Sequence, residues 1–259
     1  MKSLLHLFHR GLNKKVKMES IQLTAQTVTF RILRYKPNRI DPPRYQDFAL
    51  QIEPHMSVLD ALEKIRLERD NTLMYRHSCH HTSCGTCACK INGQERLTCI
   101  TKISDLQEDT ITLSPLEGFK PIGDLVVDMH RFYEEYSEEW HYLRRSEKIE
   151  SKRRPAGINH FTRFENCIEC GACISACPVA HRRNTFLGPA VLAAVNNELK
   201  KSPQKSADLL ALAGSKRGER MCERAVNCSR VCPNKVYPAR HIADLRRLLE
   251  KRDSRKKDK

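Results

Sequence analysis

No stretch of this sequence approaches the roughly 20 consecutive apolar residues needed to span a bilayer, so no membrane-crossing helix is expected from it. The N-terminal "MKSLLHLFHRGLNKK" is basic, but His6, His9 and Arg10 interrupt its apolar residues and no small-residue cleavage site follows. It therefore makes a poor secretory signal. Aromatics are scarce, with a single tryptophan, Trp140. The basic ends carry no pattern of interleaved aromatics and no recognition motif, which argues against nucleic-acid binding. Acid is absent from residues 1–17, which hold five Lys or Arg, and residues 246–259 hold eight against three acids. The two ends thus supply ten of the formal net charge of +15. Both solvated tails and attraction to an anionic leaflet are compatible with that placement.

What the chain has in excess is cysteine, twelve in 259 residues. Such a count points to a disulfide framework or to metal ligation. With no secretory signal, the chain reads as soluble and reduced, which favours metal.

The order of elements frames those cysteines. "SIQLTAQTVTFRILRY" (20–35) is rich in β-branched residues and partly alternates, so it reads as a strand. "DFALQIE" (47–53) reads as its partner across a long turn-prone loop, "KPNRIDPPRY". "SVLDALEKIRLERD" (57–70) predicts an amphipathic helix with Ser57 as N-cap and Asp60 in the first turn, and "DTITLSPL" (109–116) a further strand. These suggest a small α+β sheet domain with a cysteine-rich loop over it. After Pro121, "DLVVDMHRFYEEYSEEWHYLRRSEKIESKRR" reads as a long bridging helix that contains Trp140. Beyond Phe161, cysteine clusters alternate with short helices, "GPAVLAAVNNELK", "KSADLLALAG" and "PARHIADLRRLLEKR", an all-α half.

The cysteines fall into three groups. Cys79, Cys84, Cys87 and Cys99 have the C-x4-C-x2-C spacing, with a distant fourth, of plant-type 2Fe-2S sites, and Gly85 permits the tight backbone path. Zinc is the competing metal, but the group lacks paired knuckles. His80 and His81 could ligate in principle; four cysteines suffice, so they read as solvent-facing loop residues. Cys89 reads as a small buried residue. Cys167, Cys170, Cys173 and Cys177-Pro178 repeat the bacterial ferredoxin run, whose fourth cysteine serves the other cluster. Its partner is Cys222, Cys228 and Cys232-Pro233. Reciprocal exchange gives Cys167, Cys170, Cys173 and Cys232 to a 4Fe-4S cluster. Cys177, Cys222 and Cys228 remain. A fourth cysteine is missing near Ala225, and three thiolates suit a 3Fe-4S cluster.

Three groups in this order resemble the iron-sulfur subunit of succinate dehydrogenase and fumarate reductase. "SPLEGFKPIGDLVVDM" (114–129) and "FLGPAVLAA" (186–194) also look like segments of that family. The resemblance implies an α+β chain: a basic N-terminal tail (1–18), a β-grasp 2Fe-2S ferredoxin domain (19–120), a bridging helical segment (121–160), a helical ferredoxin-like domain for the 4Fe-4S and 3Fe-4S clusters (161–252) and a basic C-terminal tail (253–259). It implies a flavoprotein subunit with covalent FAD as one partner and membrane anchor subunits, or an equivalent, as another. It further implies a peripheral position on the cytoplasmic side of a bacterial inner membrane. Electrons are then expected to run in the order flavin, 2Fe-2S, 4Fe-4S, 3Fe-4S, quinone, with no residue of this chain acting as acid, base or nucleophile on the substrate.

Two positions depart from the family pattern. Many relatives have a quinone-contacting tryptophan four positions beyond the first Cys-Pro proline, where this chain has Arg182. The lysine that often follows the last Cys-Pro is here Asn234, then Lys235. Pro178, His181, Arg182 and Ala225 stand as candidate quinone contacts, each otherwise a plain surface or packing residue. A fumarate reductase with a non-quinone donor and a free-standing electron-carrier ferredoxin remain open beside this reading.

Overall fold

The computed structural model describes residues 26–134, 136, 167–201 and 203–257. Its first half is a sheet crossed by one helix. Strand β1 (Gln26–Lys36) alternates, so Val28, Phe30 and Ile32 turn inward with Arg34 on the same face. It pairs antiparallel with β2 (Ile40–Ile52), whose Phe48, Leu50 and Ile52 complete that face. The expected long loop is a tight turn instead, because Lys36 already pairs with Ile40. Pro42 and Pro43 lie within β2, an edge strand, where its pairing with β1 skips from Arg34–Arg44 to Lys36–Ile40, so neither missing N–H costs a ladder bond.

Helix α1 (Val58–Glu68) starts at the expected cap. The Asp60 N–H donates to Ser57 Oγ at 3.2 Å and the Ser57 N–H to Asp60 Oδ2 at 2.8 Å, a reciprocal capping box. Val58, Leu59, Ala61, Leu62 and Ile65 bury its apolar stripe. Strands β3 (Ala88–Ile91) and β4 (Gln94–Leu97), a single helical turn α2 (Ile103–Leu106) and β5 (Thr110–Ser114) come next. The sheet order is β2-β1-β5-β3-β4 with β1 and β5 parallel, the β-grasp arrangement.

The bridging helix expected from residue 121 does not form at its start. Strands β6 (Lys120–Gly123) and β7 (Val126–Asp128) make a hairpin there, and only one turn, α3 (His130–Tyr133), is helical. Asp124 explains the break. Its carboxylate is fully buried and accepts the N–H groups of Tyr35 at 2.9 Å and Met74 at 2.8 Å. It also lies 3.1 Å from Arg34 Nε, while Arg34 Nη1 is 2.6 Å from Asp70 Oδ2. These long-range partners outweigh the local helical pattern. Burial alone would lower the Arg34 pKa, but hydrogen bonds to Asp70 and Asp124 raise it. The rest of the expected helix, Trp140 included, and the N-terminal tail lie outside the described residues.

The second half is helical: α4 (Ala172–Ser175), α5 (Pro178–Arg182), α6 (Gly188–Lys201), α7 (Ser206–Ala213), α8 (Asn227–Arg230) and α9 (Pro238–Lys257). Eleven consecutive residues of α6, Gly188 to Glu198, are buried, so it is the central element on which α9 packs. Residues 253–257, expected as part of a tail, continue α9. The halves meet through a buried bond from Ser175 Oγ to Glu95 Oε1 at 2.8 Å, and Arg131 bridges the Gly118 and Ala180 carbonyls at 2.6 and 2.5 Å.

Candidate metal centres

The loop carrying Cys79, Cys84 and Cys87 runs over the sheet between α1 and β3. Left-handed backbone at His80, Thr82 and Gly85 coils it tightly. The N–H groups of His81, Ser83 and Cys84 all point at Cys79 Sγ, at 3.5, 3.2 and 3.4 Å. Burial pushes the Cys84 thiol up, but the Thr86 hydroxyl, 3.1 Å from its sulfur, and backbone donors prevail and leave it at about 7. Cys87 precedes β3 and Cys99 follows β4, so the sheet fixes both. Burial, then the neighbouring Cys87 and Cys79, pushes Cys99 up to about 11. Cys89 is buried in the sheet core, as expected of a small packing residue.

Gly85 is pressed against the other half. A β-carbon there would lie 2.6 Å from the Ile168 carbonyl oxygen and 2.8 Å from Cys170 Cβ. Only glycine suits a position with φ of +68° and that contact.

The seven remaining ligand candidates divide between two cavities and share none. Cys167, Cys170, Cys173 and Cys232 line one of about 30 Å³, walled by residues such as Phe132, Ala190, Ala193 and Val236. Cys177, Cys222 and Cys228 line the other, of about 470 Å³, with Pro178, Ala225, Val226 and Arg246 among its walls. In the first, the Val236 N–H donates to Cys232 Sγ at 3.3 Å, and buried Tyr136 hydrogen-bonds Cys167. In the second, the Val179 and Ala180 N–H groups at the start of α5 face Cys177.

Burial pushes Cys167 up to about 11, Cys170 and Cys228 up to about 12, and Cys173 well above its ordinary value. Neighbouring thiols add to this: Cys232 acts on Cys167 and Cys170, Cys177 and Cys222 act on Cys228, and across the two sets Cys228 acts on Cys173. Several buried thiols that oppose one another's ionisation form an all-sulfur donor set, and a cationic iron centre relieves that opposition by holding each as thiolate. With backbone N–H groups aimed at sulfur, these residues fit iron-sulfur clusters.

The candidate quinone contacts fall in two neighbouring places. Pro178 and Ala225 line the larger cavity. His181 lies in a groove at the seam of the two halves that Pro178 also lines, with Nδ1 3.7 Å from Glu117 Oε2, and Arg182 pairs at the surface with Glu223, itself a wall of the larger cavity. Sequence reasoning missed Val226 and Arg246 as cavity walls. Val226 is a β-branched residue at φ of 62°, a strained backbone that a string of letters does not display. Arg246 stands on α9, paired with buried Glu219, and its charge opposes the burial-driven rise at Cys222.

Comparison with known proteins gives the family. The chain matches the model of a 2Fe-2S iron-sulfur cluster binding domain over residues 29–134 and that of a 4Fe-4S dicluster domain over residues 163–236. It is therefore an iron-sulfur protein of two consecutive cluster-binding domains. It is 32% identical over 229 residues to the mitochondrial succinate dehydrogenase (ubiquinone) iron-sulfur subunit of Candida glabrata, covering 85% of this chain and 90% of that one. Identity to the fumarate reductase iron-sulfur subunit of Mycobacterium tuberculosis is 32%, over 82% and 88% of the two chains. To that of Wolinella succinogenes it is 31%, over 87% and 98%. The chain belongs to the family of succinate dehydrogenase and fumarate reductase iron-sulfur subunits. The fold agrees: a chain of the Mycobacterium smegmatis Sdh1 complex in the apo form superposes with a TM-score of 0.72 at 22% identity, over 88% of this chain and 97% of that one. Among the described residues, no helix is long and apolar enough to cross a membrane.

Proposed function

We propose that this chain is the three-cluster electron conductor of a succinate:quinone oxidoreductase, working between an FAD-containing flavoprotein subunit and quinone held with membrane anchor subunits. Cys79, Cys84, Cys87 and Cys99 hold 2Fe-2S; Cys167, Cys170, Cys173 and Cys232 hold 4Fe-4S; Cys177, Cys222 and Cys228 hold 3Fe-4S. The observation that carries this reading is the division of the seven thiols between two cavities, four in one and three in the other. When bound, the clusters supply one-electron carriage, so this chain needs no acid or base of its own.

The residues present support that work in specific ways. Backbone N–H groups directed at Cys79, Cys177 and Cys232 stabilise the thiolate form and tune the site. The small cavity surrounds its four thiols with mostly apolar walls, among them Phe132, Ala190, Ala193 and Val236. The larger one leaves room beside Pro178 and Ala225 for an apolar ligand such as a quinone. On this reading the chain is a peripheral subunit on the cytoplasmic side of a bacterial inner membrane, with a sheet domain at 19–120 and a helical domain that begins at 161 and runs through α9 to Lys257. Electron paramagnetic resonance of the native complex tests it. A 3Fe-4S signal in the oxidised state, with 2Fe-2S and 4Fe-4S signals on reduction, is expected; no oxidised signal would sink the three-thiol assignment. Reduction of the signals by succinate, and their reoxidation by added quinone, tests the partners.

A further inference from the structure

The sheet half holds a second group of metal-ligating side chains that contains no cysteine. Glu63 lies on α1, while His77 and His80 flank the start of the cysteine loop. His77 Nδ1 is 3.0 Å from His80 Nε2, and the two nitrogens lie 3.6 and 3.7 Å from Glu63 Oε1. All three donor atoms face one another. We propose that Glu63, His77 and His80 form a site for a divalent transition ion of the zinc type, which ties the cysteine loop to α1.

The spacing argues for an ion. Donors bound at about 2.0–2.1 Å in a tetrahedral array lie about 3.3–3.4 Å from one another, and the three observed separations bracket that value. The rings are also held in place. His77 stacks on Tyr75 with centroids 5.4 Å apart, and His80 meets His77 edge-on at 5.2 Å. His80 adopts φ of 60°, a left-handed conformation uncommon outside glycine that turns it back toward His77. Two imidazoles and a carboxylate suit zinc better than calcium or magnesium, which take all-oxygen sets. The side chains are 33–44% exposed, so a hydrated ion can enter and water can complete its shell. Bound there, the ion places a divalent charge one residue from Cys79.

The competing account is a plain histidine–histidine hydrogen bond beside a carboxylate. Zinc chloride titrated calorimetrically into the full-length, cluster-loaded chain separates the two. One saturable zinc per chain is expected, with iron content unchanged. Zinc-edge X-ray absorption should then show a nitrogen and oxygen shell at about 2.0–2.1 Å and none of sulfur at about 2.3 Å. His77→Ala and Glu63→Gln, both at partly exposed positions, should weaken binding roughly tenfold or more while keeping the iron. Hydrogen exchange in residues 76–84 should slow with zinc in the parent chain and not in the variants. Absence of saturable binding, a sulfur shell, undiminished binding in the variants, or loop exchange that ignores zinc would each overturn the proposal.

Discussion

The two halves of this molecule hold their thiols by opposite strategies. The sheet half has an apolar core of its own, built from β1, β2, α1 and β5, in which Cys89 is the single cysteine. Its candidate ligands lie outside that core: Cys79 and Cys84 ride on a loop, while Cys87 and Cys99 reach into the other cluster of buried residues at the seam. In the helical half, Cys167, Cys170, Cys173, Cys177, Cys222 and Cys232 pack directly against the main cluster of buried residues. There the thiols and whatever they bind are part of the interior, so the helical half is expected to depend on its metal more than the sheet half does.

The largest effect expected from that contrast comes from removing the iron. Chelation of the reduced chain should free the amides of α6 and α9 to exchange while those of β1 and β5 stay protected, read by hydrogen exchange. Equal loss of protection in both halves would erase the distinction.

Next in size is Arg34→Met. It leaves Asp124 and Asp70 without their cation and should cost about 3–5 kcal/mol, seen as early unfolding of the sheet half in urea. Signals from the helical half should persist in the protein that remains folded.

A smaller effect is tied to pH. Burial would raise the Asp70 pKa, but the Thr72 and Arg34 hydrogen bonds prevail and hold it at about 2 against the ordinary 3.8. A carboxylate depressed on folding stabilises above its unfolded pKa, and that contribution fades as pH falls from about 4 toward 2. Solvent screening trims the full worth of the shift, so Asp70→Asn should remove about 1–2 kcal/mol at neutral pH and flatten the acid limb of the stability curve. An acid limb as steep as that of the parent would exclude Asp70 as its source.

The mildest change in stability, with the clearest spectroscopic result, is expected of Ala225→Cys. It adds a fourth thiol to the wall of the larger cavity. The oxidised 3Fe-4S signal should give way to a 4Fe-4S signal on reduction; an unchanged spectrum would mean that Ala225 does not face the open corner.

How much the letters disclose depends on the range of the forces involved. The cysteine spacings, the Ser57–Asp60 cap and the helices with Pro189 and Pro238 near their starts are local patterns, and the structure shows those helices and that cap. The double proline reads as loop because edge position, which makes Pro42 and Pro43 acceptable, is a property of the whole sheet. Residues 124–128 have helical periodicity, yet Asp124 meets Arg34, Tyr35 and Met74 from distant parts of the chain and imposes a hairpin. The two cavities are implied by the exchange of the last cysteine in each run, but Val226 and Arg246 become visible as walls of the larger one only in three dimensions.

The missing side chain at Gly85 has a kinetic meaning. It lets the loop of Cys84 and Cys87, proposed to hold one cluster, settle onto Ile168 and onto Cys170, proposed to hold the next. Electron tunnelling weakens exponentially with the gap between donor and acceptor, so a methyl group forced into this seam acts on a rate constant before it acts on any chemistry. On the proposed cluster assignment Gly85 is in that sense a spacer of zero thickness, keeping short the gap that current would cross from the sheet to the helices.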